Sequence, residues 1–144
     1  MGQDSGDRNT FTALVVDDST TLRRLMDLTL TPLGIDVEFT DNGEDAVVLV
    51  KNKEYDIVFL DVILPGIDGY RVCKEIKGDR RTKATPVIML TSKDSTFDKV
   101  RGMMAGTDVY LTKPLERAHL LHAINKYLPL ERRNGMVRVQ QQGA

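Results

Sequence analysis

The chain is poor in thiols, in long apolar runs and in surplus charge. Its single cysteine, Cys73, excludes an intrachain disulfide and suits a reducing compartment, with the cytoplasm as the expected location. No run comes near the roughly 18 apolar residues that a membrane-spanning helix needs, so no membrane insertion is expected. The stretch from Met1 to Thr10 is polar and lacks the apolar centre of a signal peptide. A formal net charge of -1 gives no ground for direct nucleic-acid binding or attachment to a membrane surface. There is no Gly-x-x-x-x-Gly-Lys loop, which sets aside the P-loop nucleotidases. No internal repeat is visible.

What remains is an ordinary globular composition, 41% hydrophobic and 28% charged over 144 residues, enough for one domain with one sizeable core. Residues 1–10 read as a disordered lead-in, 11–129 as the folded domain and 130–144 as a flexible tail. Strands are expected over Phe11–Val16, Ile35–Thr40 and Ile57–Asp61, after Pro86, and over Val109–Thr112. Between them, apolar faces at helical spacing predict five helices. The first follows the N-cap Ser19 and carries Leu22, Met26 and Leu30, with Pro32 in its last turn. The second spans Gly43 to Lys53 and the third Gly69 to Lys77, with Val72, Cys73 and Ile76 inward. The fourth is expected over Ser95–Ala105 and the last over Glu116–Leu128. Lys77 to Lys83 reads as a solvated basic loop. Five alternations of strand and helix with short connections argue for a doubly wound parallel sheet covered on both faces.

Four of the strands end in chemistry. Leu14-Val15-Val16 is followed by Asp17-Asp18, Ile57-Val58-Phe59-Leu60 by Asp61, Val87 to Leu90 by Thr91-Ser92, and Val109 to Thr112 by Lys113-Pro114. Open parallel sheets place their ligand sites at the carboxyl ends of the strands. Three carboxylates gathered there repel and need a counter-charge. A hard divalent cation taking oxygen ligands, Mg²⁺ above all, fits without a dedicated cage. With a lysine and a hydroxyl beside it, such an edge can receive a transferring phosphoryl group, with Asp61 as the nucleophile.

These residues, with Leu64-Pro65-Gly66-Ile67-Asp68-Gly69, resemble the receiver domain of two-component response regulators over about residues 12–129. The resemblance implies a flavodoxin-like five-stranded sheet in the order 2-1-3-4-5. It implies that Asp61 takes phosphate from a sensor histidine kinase or phosphotransfer protein. Asp18, Asp61 and the carbonyl of Ile63 would bind Mg²⁺ directly and Asp17 through water. Thr91 and Lys113 would hold phosphate oxygens, and Lys113-Pro114 would be cis. Thr91 and Tyr110 would form the switch, acting on a downstream protein at the fourth helix, the last strand and the last helix. Ser92-Lys93-Asp94 and the residues from Phe97 to Lys113 look most like single-domain regulators of chemosensory and twitching-motility pathways. Val109 and Ile63 depart from common patterns, and Ile63 and Lys93 border the path of water to the acceptor.

The reading is therefore a phosphorylation-controlled binding module, a monomer or a weak phosphorylation-dependent dimer, whose tail is too short to hold a DNA-reading domain. The rivals are a Mg²⁺-dependent phosphohydrolase with an aspartyl-phosphate intermediate, a receiver that is never phosphorylated, and a receiver cut from a longer regulator. Asp61 is followed by Val62 and Ile63 rather than by a second acid, and no insertion is long enough for a substrate cap, which argues against the phosphohydrolase. His119 and His122, Met103-Met104, Cys73 and the tail arginines Arg132, Arg133 and Arg138 are read as surface or packing residues.

Overall fold

The computed structural model of the chain describes residues 10–92 and 105–128. The expected lead-in over 1–9, Lys93, Met103-Met104, all of the expected fourth helix except Ala105, and the tail beyond Leu128 lie outside those residues. Five strands, β1 (Phe11–Val16), β2 (Ile35–Thr40), β3 (Ile57–Asp61), β4 (Val87–Thr91) and β5 (Val109–Thr112), pair in parallel in the order β2-β1-β3-β4-β5. The described helices are α1 (Thr20–Leu30), α2 (Gly43–Asn52), α3 (Gly69–Gly78) and the last helix, α4 (Arg117–Tyr127).

The apolar character of each element sets its depth. All five residues of β3 and all five of β4 are buried, as the near-continuous apolar runs of a sheet covered on both faces must be. Alternation along the strands divides the core in two. Leu14, Val16, Val58, Leu60 and Met89 face α2 and α3, where Ala46, Val50, Val72, Cys73 and Ile76 meet them. Ala13, Val15, Ile57, Phe59 and Ile88 face α1 and α4, against Leu22, Met26, Leu30, Leu120 and Ile124.

Helix boundaries follow local chemistry. The Ser19 hydroxyl accepts from the Leu22 N–H, the Asn42 side chain from Asp45 and the Asp68 side chain from Arg71, each closing one open donor of a first turn. Pro32 falls outside the first α-helix rather than in its last turn. The α-helix stops at Leu30, Thr31–Leu33 tightens into a 3-10 turn, and Gly34 leaves it at φ 82°.

Lys77 corrects the reading of a solvated loop. Its side chain is only 16% exposed, and the ammonium pairs with Asp108 at 2.7 Å while donating to the carbonyls of Thr85 at 2.7 Å and Lys83 at 3.2 Å. Asp108 also accepts from the Val87 N–H at 2.7 Å. A four-carbon stem lets the charge leave the helix surface and reach the start of β4. This polar latch ties the end of α3 to the two last strands. Asp108→Ala is expected to lower the unfolding free energy by about 2 kcal/mol, because it takes the counter-charge from a largely enclosed ammonium and leaves the Val87 N–H without its acceptor. Glu75→Ala, which removes an exposed pair with Arg71, is expected to leave the midpoint where it is. Urea titration of both variants checks the contrast.

Candidate phosphoacceptor site

The strand order carries the site. β1 and β3 are neighbours, paired as far as Val16 and Leu60, so the next residues, Asp17 and Asp61, emerge side by side. β4 and β5 continue the edge with Thr91 and Thr112 in register, and the Lys113 N–H donates to the Thr91 carbonyl at 2.6 Å. The sheet thus brings together Asp17, Asp18, Asp61, Thr91 and Lys113. Carboxylate oxygens of Asp17, Asp18 and Asp61 all lie within 4.8 Å of one another. Asp17, Asp61 and Thr91 are buried and Asp18 is exposed.

Lys113 sits between the two buried acids. Its ammonium is 2.9 Å from Asp17 Oδ2 and donates to Asp61 Oδ2 at 2.9 Å. The other Asp17 oxygen accepts from the Ser19 N–H at 2.8 Å, and Asp61 Oδ1 accepts from the Ile63 N–H at 3.1 Å. Burial raises the Asp61 carboxyl above the usual carboxylate range. The Lys113 and Ile63 hydrogen bonds oppose that rise and the Asp17 charge adds to it, leaving the net direction upward. Burial alone would lower Lys113, but its close pairing with Asp17 and Asp61 and their negative charges outweigh it and hold the ammonium above its usual value.

The donor set fits a hard cation. One ammonium faces three carboxylates, all the ligating atoms are oxygens, and Asp17 Oδ2 is enclosed without a hydrogen bond, its contact with Lys113 being ionic only. Residues outside this chemistry hold it in place. Arg23 of α1 donates from Nε to the Asp17 carbonyl at 3.2 Å, and its guanidinium lies 5.5 Å over the Phe39 ring. Glu44 of α2 accepts from the Ile67 N–H at 3.2 Å beside Gly66, whose φ is 77°. Gly69 donates to the Val62 carbonyl at 2.9 Å, and a Cβ there would overlap the Asp61 carbonyl oxygen.

The other singled-out residues fall as follows. Ile63, two residues past Asp61, is 73% exposed. Tyr110 is half-buried on β5, and its hydroxyl donates to the Tyr70 hydroxyl at 3.2 Å. Lys113-Pro114 is cis. Cys73 is buried, which pushes its thiol up to about 11 and leaves it a packing residue. His119 and His122 are exposed. A recess of about 600 Å³ lies at the opposite edge of the sheet, beside Tyr55, Pro86 and Tyr127, away from these acids.

Arg23, Glu44 and Tyr70 are absent from the sequence-based site. For Arg23 and Glu44 no local signal exists. Tyr70 could have been found by stepping back three residues from Cys73 along the inward face of α3.

A five-stranded parallel sheet in this order, with acids at the ends of β1 and β3 and a lysine after β5, defines a receiver domain. The chain belongs to the response regulator receiver domain family, whose profile matches residues 13–125. Among its relatives, protein PilG of Pseudomonas aeruginosa PAO1 is 43% identical over 116 residues, covering 81% of this chain and 86% of PilG. The chemotaxis response regulator CheY4 of Vibrio cholerae superposes with a TM-score of 0.78 at 29% identity, covering 83% of this chain and 99% of CheY4. The receiver domain of a sensor histidine kinase from P. aeruginosa PAO1, solved with a magnesium ion in its active-site cleft, gives 0.76 at 29%, covering 82% of this chain and 97% of that one. Receiver domains are phosphoacceptor signalling domains that bind Mg²⁺ at an acidic cluster and work with histidine kinases or phosphotransfer proteins.

The upward shift of Asp61 gives a pH-dependent expectation. Its carboxyl contributes full stability below the unfolded value of about 3.9, and that contribution is lost as pH rises through the raised folded value. In chelator at about pH 7, Asp61→Asn is therefore expected to unfold at higher urea than the wild type, and to lose that advantage at about pH 3. Added Mg²⁺ should raise the wild-type midpoint and move the variant far less. A variant less stable than the wild type in chelator at about pH 7 would contradict the upward shift.

Proposed function

We infer that this chain is a phosphorylation-controlled binding module in which Asp61 accepts a phosphoryl group from the phosphohistidine of a sensor histidine kinase or phosphotransfer protein. The observation that carries the reading is the Lys113 ammonium shared between Asp17 and Asp61 in a cluster of three carboxylates. An oxygen of Asp61 attacks phosphorus, the P–N bond to the donor imidazole breaks, and the imidazole leaves with the electron pair. Asp17, Asp18, Asp61 and the Ile63 carbonyl are the residues that would hold Mg²⁺, which when bound offsets the charge of the phosphoryl oxygens. Lys113 is already at hydrogen-bond distance from the Asp61 oxygen and can turn to a phosphoryl oxygen. The Thr91 hydroxyl is the second donor, and its movement toward the phosphoryl group would be read at Tyr110.

The downstream partner would be a protein that docks on the last strand and last helix together with the helix expected over Ser95–Ala105. The likeness to PilG and CheY4 favours a chemosensory or twitching-motility pathway. A cytoplasmic monomer, or a dimer formed weakly on phosphorylation and without nucleic-acid contact, fits this role. Among the described residues no helix is long and apolar enough to cross a membrane. Ile63, rather than a second acid, stands two residues past Asp61, and this favours a stored phosphoryl group over steady hydrolysis.

Incubation with acetyl phosphate and Mg²⁺ should add one phosphoryl mass to the intact protein, and none to Asp61→Asn or to a chelated sample. Equal labelling of the variant would move the acceptor elsewhere. A second expectation concerns lifetime. The exposed isoleucine cannot hydrogen-bond an attacking water, so Ile63→Asn should shorten the phosphorylated half-life by about threefold, which is about 0.65 kcal/mol of barrier. Phosphate release after removal of the donor measures it, and an unchanged half-life would exclude Ile63 as a timing residue.

A further inference from the structure

Tyr70 and Tyr110 come from distant parts of the chain and meet at their hydroxyls, 3.2 Å apart. Tyr70 lies on the first turn of α3, with its ring in the core between α3 and the sheet. Tyr110 stands on β5 opposite Met89 of β4, half-buried against the same cluster. The backbone on either side of Tyr70 has little room to shift. Gly69 donates to the Val62 carbonyl, its Cα lies against the Asp61 carbonyl where no side chain fits, and Asp68 accepts from the Arg71 N–H at 2.9 Å. Displacement of the Asp61–Gly69 loop must therefore carry Tyr70 with it. Rotation of Tyr110 away from the core must break the hydroxyl contact.

We propose that Tyr70 is a positioning residue that couples the loop after Asp61 to Tyr110 through this hydroxyl contact, in parallel with the route through Thr91 and β4. The proposal rests on the phosphoacceptor reading of Asp61. Its physical content is a difference between two arrangements, since a group at Asp61 shifts Tyr110 only by favouring one of them. The Tyr70 hydroxyl bonds Tyr110 when the ring is inward and not when it is out. One net hydrogen bond of this kind changes the in-to-out ratio by about two- to tenfold. A contiguous chain of contacts does not by itself establish coupling, so the decisive measurement is a double-mutant cycle.

The full chain, saturated with Mg²⁺ and beryllofluoride as a stable stand-in for the phosphoryl group, is compared by NMR with Tyr70→Phe, Tyr110→Phe, the double variant and Thr91→Ala. The readout is the beryllofluoride-induced shift of the Leu111 and Thr112 amides. In Tyr70→Phe these shifts should shrink by about half or more, in line with the loss of one hydrogen bond, while beryllofluoride affinity stays within about twofold. Tyr110→Phe and the double variant should show the same loss and no more. Thr91→Ala should retain part of the response, and adding Tyr70→Phe should remove it. Full-size shifts in a folded Tyr70→Phe, or strictly additive losses in the double variant, would overturn the proposal. If the wild type itself gives no response to beryllofluoride, the phosphoacceptor reading fails and this proposal fails with it.

Discussion

The attraction of one ammonium for two buried carboxylates is the interaction on which the working edge depends. Asp17 and Asp61 are driven together by strand pairing, and their like charges oppose the very alignment that the apolar runs of β1 and β3 enforce. Lys113 resolves the conflict from the end of β5, three strands from β1 and two from β3 in the sheet order, by placing its Nζ 2.9 Å from an oxygen of each. The offset is incomplete, since a third acid, Asp18, stands beside them and the Asp61 carboxyl remains raised. The edge is thus held in a charged, unfavourable state, and the negative excess is what draws a cation to it. Such local unfavourability within a stable core is a usual accompaniment of function.

The rest of the molecule serves to keep that edge rigid. Among the described residues, the loops after β1 and β3 are fastened by residues with no part in the chemistry. Arg23 holds the Asp17 carbonyl and leans on Phe39, Glu44 holds the Ile67 N–H, and the peptide of Gly69 closes back onto Val62. On the far side, Lys77 and Asp108 fasten the end of α3 to the last strands. Side chains poised by such supports need little reorganisation when a ligand arrives.

The legible parts of the chain were those whose signal is local. β3 and β4 could be read because every residue in them is apolar up to the terminal Asp61 and Thr91, and α1 because Leu22, Met26 and Leu30 recur at helical spacing behind Ser19. The five polar residues of the site were legible as strand endings, but their meeting depends on the strand order, which came from the family resemblance and not from periodicity. Lys77 was misread because a lysine among arginines looks solvated until its acceptor is known, and Asp108 lies thirty-one positions away. Arg23, Glu44 and the Tyr70–Tyr110 pair were hidden for the same reason, since one partner is a backbone atom or a residue remote in sequence. Hydrophobic pattern reports which face of an element is buried, and it carries no record of which long side chain reaches which carbonyl.

The register Val16↔Leu60 has one more consequence, for the birth of the protein rather than its working life. Residues 17, 61 and 113 share the site only after β1, β3, β4 and β5 have all paired, and parallel pairings of such sequence separation are slow to form. A slip of one residue along β3 would exchange the side chains it offers to the two cores and carry Asp61 away from Asp17. A partly folded or misregistered chain therefore cannot assemble the cation and phosphoryl site at all. Competence to receive a signal is in this way a certificate of complete folding, and immature copies are silent within the pathway rather than wrongly active.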